Sequence, residues 1–254
     1  MVARVRVRYA KRGPLRFTSH RDFARAFERA VRRAGVPVAF SQGFSPHPKI
    51  SYASAAPTGT ASEAEYLEIG LQAPMEPEAI RAALDAALSP GLDVLHVVPA
   101  GPGPSLADLI DASRWRVELP GVSPESLRAA VAAFVDAPEV MVERMTKQGR
   151  RRFDTRAAVV SLTLGDEPVV PDGAGGHPCA ILDAVVRQVT PSVRPDDVLA
   201  GLQVVAELVP PVPPRAIRLA QGKLTPQGEI VDPLAGDDRT VQPDGAASIG
   251  ELSE

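Results

Sequence analysis

Five arginines near the start of the chain recur at the three- and four-residue spacing of one helix face: Arg21, Arg25, Arg29, Arg32 and Arg33. A guanidinium group donates two hydrogen bonds to one phosphate, so such a row suits the phosphates of a nucleic-acid backbone. The alternative is an ordinary solvated helix face. Because only Glu28 interrupts the row, the pattern favours anion binding.

A loop from Ser41 to Lys49 follows this helix and combines an aromatic, a histidine and a lysine on a backbone stiffened by two prolines. We expect Phe44 to stack on a base while Gln42 and Lys49 contact the nucleotide and its phosphate. The alternative is an ordered connection in which Phe44 fills a gap in the core.

A second basic cluster lies in the middle of the chain, and its candidate RNA-binding residues are Lys147, Arg150, Arg152 and Arg156. Arg150, Arg151 and Arg152 are consecutive, so in a strand at least one of them faces away from any single ligand. Asp154 lies between Arg152 and Arg156. It orients an arginine there, or it forms an ordinary ion pair of a hairpin.

Catalysis has three candidate residues, His20, Asp22 and Asp154, but no motif that announces it. The four histidines stand at 20, 47, 96 and 177, without metal-binding spacing, and Cys179 is the only cysteine. The sequence contains no glycine-rich phosphate loop and no nucleophile motif. We therefore expect no metal and no cofactor, and a binding role is favoured over an enzyme.

Charge is distributed unevenly along the 254 residues. The first 49 carry 12 Lys and Arg against two acids, a net charge of +10, whereas the whole chain has −3 and the remainder therefore −13. A basic end on an acidic protein indicates an anionic partner at that end. No apolar run approaches the length of a membrane span, and one cysteine favours a reducing compartment, so we expect no membrane and a cytoplasmic location.

The first hundred residues predict two helices among five strand-like segments. Ser19 caps a helix whose apolar stripe includes Phe23 and Phe27, and Gly35 ends it. A second helix covers Pro77–Leu88. Alternation or apolar runs predict the strands, which are Val5–Tyr9, Val36–Phe40, Ile50–Ala55, Tyr66–Leu71 and Leu92–Val98, the second and third flanking the loop.

A weaker copy of this order follows the Pro-rich segment 99–104. Helices are predicted at Pro124–Val135 and Pro195–Leu202. Cys179–Val189 is a strand or a helix. The predicted strands are Trp115–Leu119, a hairpin of Val140–Met145 with Thr155–Leu164, and Gln203–Val209 before the prolines of 210–214.

The order β-α-β-β-α-β, found twice, predicts an α+β protein with two ferredoxin-like modules in tandem, each with an antiparallel sheet. The first module takes residues 1–100 and the second 110–220. Residues 221–254 are rich in Gly, Pro and acids, so a disordered acidic tail is expected there, or one laid over the surface.

Two long stretches carry a family resemblance. Residues 6–22 (RVRYAKRGPLRFTSHRD) and 32–51 (RRAGVPVAFSQGFSPHPKIS) resemble the start of the DUF2344 family, the radical-SAM-linked proteins. Phe-Asp-Thr-Arg at 153–156 and Val-Arg-Pro-Asp-Asp-Val-Leu at 193–199 look like its later signatures. The resemblance covers roughly residues 3–220 and supplies no catalytic residues.

The resemblance implies a role in RNA or ribosome metabolism, beside a radical-SAM enzyme or a ribonuclease E/G partner. This chain lacks the C-x-x-x-C-x-x-C cluster motif, so it is expected to assist such an enzyme. Our first hypothesis is an accessory protein that binds ribosomal or transfer RNA. The alternatives are an RNA-modifying enzyme, similar to a pseudouridine synthase, and a protein-interaction adaptor.

Overall fold

The computed structural model describes residues 1–146, 149–166 and 179–237, and it shows a mixed α+β protein built on one large sheet. The strands are β1 (Ala3–Lys11), β2 (Ile50–Ala53), β3 (Ala61–Leu71), β4 (Leu92–Pro99), β5 (Ala112–Pro120), β6 (Met141–Thr146), β7 (Gly149–Asp154), β8 (Val159–Leu164), β9 (Cys179–Arg187), β10 (Arg215–Leu224) and β11 (Ile230–Val231).

The described residues contain four α-helices: α1 (His20–Arg33), α2 (Pro77–Ala87), α3 (Pro124–Asp136) and α4 (Pro195–Ala206). The predicted start of α1 is confirmed, since the Ser19 hydroxyl accepts a hydrogen bond from the Asp22 amide. Its predicted end is confirmed as well, because Gly35 takes the left-handed conformation (φ 65°) that favours glycine after a helix. The other three helices each begin with proline, whose missing amide proton costs nothing there.

Each half of the chain contributes four neighbouring strands, with two helices between them in sequence. The first half (β1 to β4) has the order β4-β1-β3-β2, and the second half (β5 to β10) has β10-β5-β9-β8, with all pairs antiparallel. A short parallel pairing of Ile217 and Arg218 in β10 with Ala61 and Ser62 in β3 joins the halves. The expected two sheets are therefore one continuous sheet.

The helices cover one face of this sheet, and each half has its own core beneath them. In the first half, Val5, Val7 and Tyr9 of β1 pack against Phe23 and Phe27 of α1. In the second half, the core gathers α3, α4 and strands β5, β8 and β9. The alternation of β1 leaves its arginines on the opposite face.

That opposite face of the first half is covered by two later segments. Residues 100–111 and 232–237 contribute Leu106, Ile110 and Leu234 to a small cluster with Tyr66 of β3. Residues 221–237 are not disordered as expected. Strand β10 extends to Leu224, and the chain continues through β11 onto the sheet. Residues 238–254 lie outside the described part.

A buried ion pair crosses the boundary between the halves. Arg218 of β10 donates to the Glu65 carboxylate of β3, and the two side chains are 4% and 3% exposed. The second oxygen of Glu65 accepts from the Ala56 amide at 3.1 Å, and the buried Lys11 ammonium donates to the Ala56 carbonyl at 3.5 Å. Burial lowers the pKa of Lys11, and the neighbouring Glu65 opposes that effect.

Three predicted strands are wrong in extent or partner. Residues 36–40 form only isolated bridges, Val38 with Leu71 and Phe40 with Pro48. The hairpin partner of β6 is β7, and the pair forms a separate two-stranded sheet because residues 159–164 pair with β9 instead. Residues 203–206 continue α4, since its buried stripe extends through Leu202, and the last strand lies after the prolines.

No helix within the described ranges is both long and apolar enough to cross a membrane.

Candidate nucleic-acid interface

The five predicted arginines of α1 lie on its outer face, and all are exposed. At 3.6 residues per turn, positions 21, 25, 29 and 32 occupy an arc of about 80° on the side opposite the core. In the part of the chain that the structure describes, none of these four forms an ion pair. We call Arg21, Arg25, Arg29, Arg32 and Arg33 the α1 arginine face.

Arg33 differs from the other members because its guanidinium donates to the carbonyl oxygen of Ala87, the last residue of α2. That contact joins the C-terminal ends of the two helices, where a positive charge is favourable to both dipoles. Arg33 therefore has a structural role, although its side chain stays exposed.

The arginines of β1 and the adjoining Arg12 differ from those of α1, because each is paired with one or more carboxylates from distant parts of the chain. Arg4 pairs with Glu68, and Arg12 pairs with Glu63 and Asp93. Arg6 and Arg8 pair with residues 232–237, which we call the C-terminal segment. The positive charge of the first 49 residues is thus divided. The share on β1 is neutralised, and the share on α1 faces solvent.

The C-terminal segment supplies two of these partners. Asp237 lies 2.7 Å from a nitrogen of the buried Arg6, which also contacts Glu68 at 3.2 Å. Asp232 lies 2.9 Å from Arg8 and accepts the Tyr66 hydroxyl proton at 2.8 Å. Burial, followed by the charge of Asp232, raises the pKa of Tyr66. This segment therefore removes the β1 side of the sheet from the predicted basic surface.

The loop after α1 presents an aromatic ring to solvent. Its base is closed by Ser41 and His47, whose main chains and side chains exchange hydrogen bonds of 2.9–3.1 Å. The Phe44 side chain at its tip is fully exposed at 108%, which rules out the alternative that it fills the core. Gln42 is exposed beside it. A free phenyl ring on a closed loop is a feature of stacking or docking surfaces.

Lys49 lies apart from the α1 arginine face. Its neighbour Ile50 packs in the helix-side core, so the alternation of β2 directs Lys49 to the opposite face of the sheet. There it lines a cavity of about 380 Å³ with Arg4 and His47. The sequence predicts that Lys49 and the helix arginines share one surface, and the structure does not bring them together.

The second basic cluster is divided between the two faces of the β6–β7 hairpin. Arg150 and Arg152 lie on the face of Glu143, which is 3.9 Å from Arg150. Arg151 lies opposite Arg144, whose guanidinium packs over Phe153 and pairs with the buried Asp197. The three consecutive arginines are exposed and point in alternate directions, as predicted. Lys147 lies outside the described residues.

The Phe-Asp-Thr-Arg signature at 153–156 has a structural role. The Asp154 carboxylate accepts hydrogen bonds from the amides of Val140 and Arg156, both at 2.9 Å. Arg156 donates to the carbonyl oxygen of Val135, near the C-terminus of α3. Asp154 therefore holds backbone in place, and Arg156 is withdrawn from the basic cluster.

The remaining catalytic candidates do not form a site with Asp154. Asp22 accepts the Ser19 hydroxyl proton at 2.7 Å and serves the helix cap. His20 is exposed, and its ring lies edge-on to Tyr52, with centroids 5.1 Å apart. The buried Tyr52 hydroxyl has no hydrogen-bond partner among the described residues, and burial, then the charge of Glu28, raises its pKa. In those residues, no group of three or more His, Cys, Asp or Glu could hold a metal.

A cavity on the helix side, between the halves, is a feature that sequence reasoning missed. It has a volume of about 260 Å³, and Trp115 and Arg218 form part of its wall. Its residues come from five separated segments, so no local spacing signals it. The only local signal is Trp115, the single tryptophan of the chain.

An exposed arginine face on a helix-covered sheet defines an α+β protein with one locally basic surface. Comparison with known families gives a match to DUF2344, described as "Uncharacterized protein conserved in bacteria", over residues 4–195. The match covers most of the chain, so the protein belongs to the DUF2344 family. A search of the curated proteins found no match.

Proposed function

We propose that this protein binds RNA, through the α1 arginine face and the exposed ring of Phe44, as an accessory factor in RNA or ribosome maturation. The observation that carries the proposal is the division of charge in the basic first 49 residues. The chain pairs the β1 arginines with distant carboxylates, yet it leaves Arg21, Arg25, Arg29 and Arg32 without one among the described residues.

A row of arginines on one helix face lowers the stability of the helix, which a face with charges of both signs would not do. Like charges at i and i+4 destabilise a helix by about 0.2–0.5 kcal/mol per pair. Helix α1 contains three such pairs, formed in succession by Arg21, Arg25, Arg29 and Arg33. The corresponding helix of the second half, α3, has only Arg128 on a surface otherwise rich in alanine. The fold thus does not require arginines at this place, and an anionic partner accounts for them.

The geometry suits a phosphate backbone. Successive arginines four residues apart are separated by about 6 Å along the helix axis, so adjacent phosphates can each receive a bidentate pair. Four such contacts give binding that weakens steeply as salt rises, since counterions are released. Phe44 adds a ring on which an unpaired base can stack, without any requirement for sequence.

The test measures the affinity for transfer RNA and ribosomal RNA fragments as a function of salt. Relative to the unmodified protein, Arg25→Gln/Arg29→Gln should reduce the slope of log affinity against log salt by about 1.4–1.8. Arg128→Gln on α3 is the matched control and should leave the slope unchanged. Binding that does not depend on salt, or no binding to either RNA pool, would refute the proposal.

Phe44 has its own prediction and control. Phe44→Ala should weaken RNA binding by about 1–3 kcal/mol while leaving the salt slope unchanged, because a stacking contact releases no counterions. The free energy of unfolding should stay within about 0.5 kcal/mol, since the ring contacts solvent. Phe17→Ala removes another exposed ring, which packs under Arg16, and should not alter affinity. Equal losses from both variants would contradict the assignment.

We also propose that both halves are ferredoxin-like modules. The strand order 4-1-3-2, counted within each half, and two helices on one face support this reading. The cytoplasmic location remains a proposal that rests on the single cysteine. The radical-SAM or ribonuclease E/G partner remains a proposal that rests on the family resemblance. Pull-down with and without nuclease tests the partner and separates RNA-bridged from direct contact. A changed nucleotide in RNA from a deletion strain would favour the enzyme alternative.

A further inference from the structure

We infer that the cavity between the halves binds a nucleoside monophosphate group, with its phosphate on arginines and its planar ring beside Trp115. The inference does not depend on the α1 arginine face, because none of that face's residues line the cavity. The same chemistry is found in a free nucleotide and in a phosphorylated end of RNA.

The charge of the cavity wall is the first observation. Three arginines, Arg187, Arg194 and Arg218, line the cavity, and none of the described residues that line it carries a carboxylate. Arg187 and Arg194 are exposed at the rim and form no ion pair with the described residues. The half-buried Arg116, by contrast, is paired with Asp183. Two of the three guanidinium groups that line the cavity are thus unpaired within the described ranges, and the third, Arg218, is paired with Glu65 behind the wall. A concave wall of this kind suits an anion.

Arg218 brings a fixed donor to the inner end. Its Nε donates to the Ser62 hydroxyl at 3.3 Å and its Nη2 to Glu65, which hold the guanidinium in one orientation. Its third nitrogen, Nη1, has no hydrogen bond to the described residues and is not among their buried unsatisfied atoms. Because Arg218 lines the cavity, a guanidinium nitrogen without a hydrogen bond to the described residues is a donor available to a ligand.

The rest of the wall suits a ring with polar edges. Trp115 contributes an apolar aromatic surface, with the Arg218 guanidinium 5.4 Å from its centre. Ser113 and Ser192 offer hydroxyls that donate or accept, and Gln188 offers an amide. A volume of about 260 Å³ is near the lower end of small-molecule sites, which fits one nucleotide rather than a longer segment.

Ser54 supplies an independent sign of a shaped site. It is one of two residues other than glycine in the described chain with positive φ, at 39°, and it lies at the cavity wall. The Gln188 amide donates to its hydroxyl, so the strained residue of the first half is held by the second. Strained backbone of this kind concentrates at ligand sites, because the surrounding structure must enforce it.

Trp115 makes the test direct, since the only tryptophan of the chain reports on this cavity. The full chain is titrated with adenosine and uridine 5′-monophosphates, the nucleosides, inorganic phosphate and a 5′-phosphorylated dinucleotide, and tryptophan emission is followed. A saturable change with the monophosphates, and at least tenfold weaker binding of nucleosides and of phosphate, is expected. If the dinucleotide binds more tightly than the monophosphate, the site is assigned to an RNA end. If the monophosphate binds more tightly, the site is assigned to a free nucleotide.

The rim arginines provide the variants, because they are exposed and their loss leaves no buried charge. Arg187→Gln and Arg194→Gln should each weaken monophosphate binding by about tenfold. Arg128→Gln on α3 is the matched control and should leave it unchanged. No saturable emission change, unaltered affinity in the double rim variant, or phosphate binding as tightly as the nucleotide would overturn the inference. The α1 variants test RNA binding separately, so the two failures are distinguishable.

Discussion

Replacing Glu65 by alanine should destabilise the protein more than any exposed ion-pair variant. The carboxylate neutralises Arg218 where β10 meets β3, and it also accepts the Ala56 amide. The Lys11 ammonium lies in the same buried group. Without Glu65, two buried cations lie close together with no counter-charge, and one buried amide loses its acceptor.

The magnitude follows from these two losses. Removing one member of a buried ion pair costs about 3–5 kcal/mol, because the remaining charge stays desolvated. The orphaned Ala56 amide adds about 1 kcal/mol. Release of the Lys11 proton, whose pKa burial already lowers, relieves part of the repulsion. We therefore expect a loss of about 4 kcal/mol, a large share of the roughly 5–15 kcal/mol typical of a folded protein.

Urea unfolding, followed by Trp115 emission and by circular dichroism, measures this loss. Glu143→Ala is the control, since it breaks an exposed pair with Arg150 at 3.9 Å and should cost about 0–1 kcal/mol. The double variant Glu65→Leu/Arg218→Met should be more stable than Glu65→Ala, because one buried cation, Lys11, remains in place of two. A loss as small as that of the control, or a double variant as unstable as the sum of its parts, would refute the reasoning.

Two further predictions concern carboxylates that hold backbone. Asp154→Ala should lower the free energy of unfolding by about 1–3 kcal/mol, measured by urea titration, because two amides lose their acceptor; unchanged stability would restore Asp154 as a catalytic candidate. Burial raises the pKa of Asp111, but the hydrogen bonds from Lys223 and the Leu224 amide outweigh it, so the net shift is downward. Its stabilisation is therefore full above the ordinary value of 3.8 and is lost as pH falls below it. Asp111→Asn should be less stable than the unmodified protein at pH 7, with a difference that shrinks near pH 3; a constant difference would contradict this.

Local sequence signals were sufficient for the elements that depend on neighbouring residues. The cap at Ser19, the stripe of Phe23 and Phe27 and the stop at Gly35 all act within one or two turns, and α1 begins and ends where they place it. The exposure of the arginine row follows from the same periodicity, since the stripe decides which face is buried. The alternation of the arginines in β7 is likewise a property of any strand.

These local signals do not determine which strands pair with one another in the sheet. Thr155–Leu164 alternates well enough to pair with β6, but residues 149–154 are adjacent to β6 in sequence and close a tighter hairpin, which frees β8 for β9. The last strand of the second half, β10, follows the prolines of 210–214, and the sequence pattern predicts that the module ends at those prolines. Its place beside β5 and β3 depends on a sheet that exists only after both halves have folded.

The amino-acid sequence by itself determined that this is an α+β protein with a positively charged helix face, because helix and strand periodicity and the identity of exposed side chains are local properties. Only the tertiary structure decided which charges remain available. Arg6 meets Asp237 and Arg218 meets Glu65 across separations of 231 and 153 residues, while Arg25 meets no carboxylate in the described chain. Coulomb attraction acts through distance in space, and the distance between two side chains is fixed by the packing of the whole sheet.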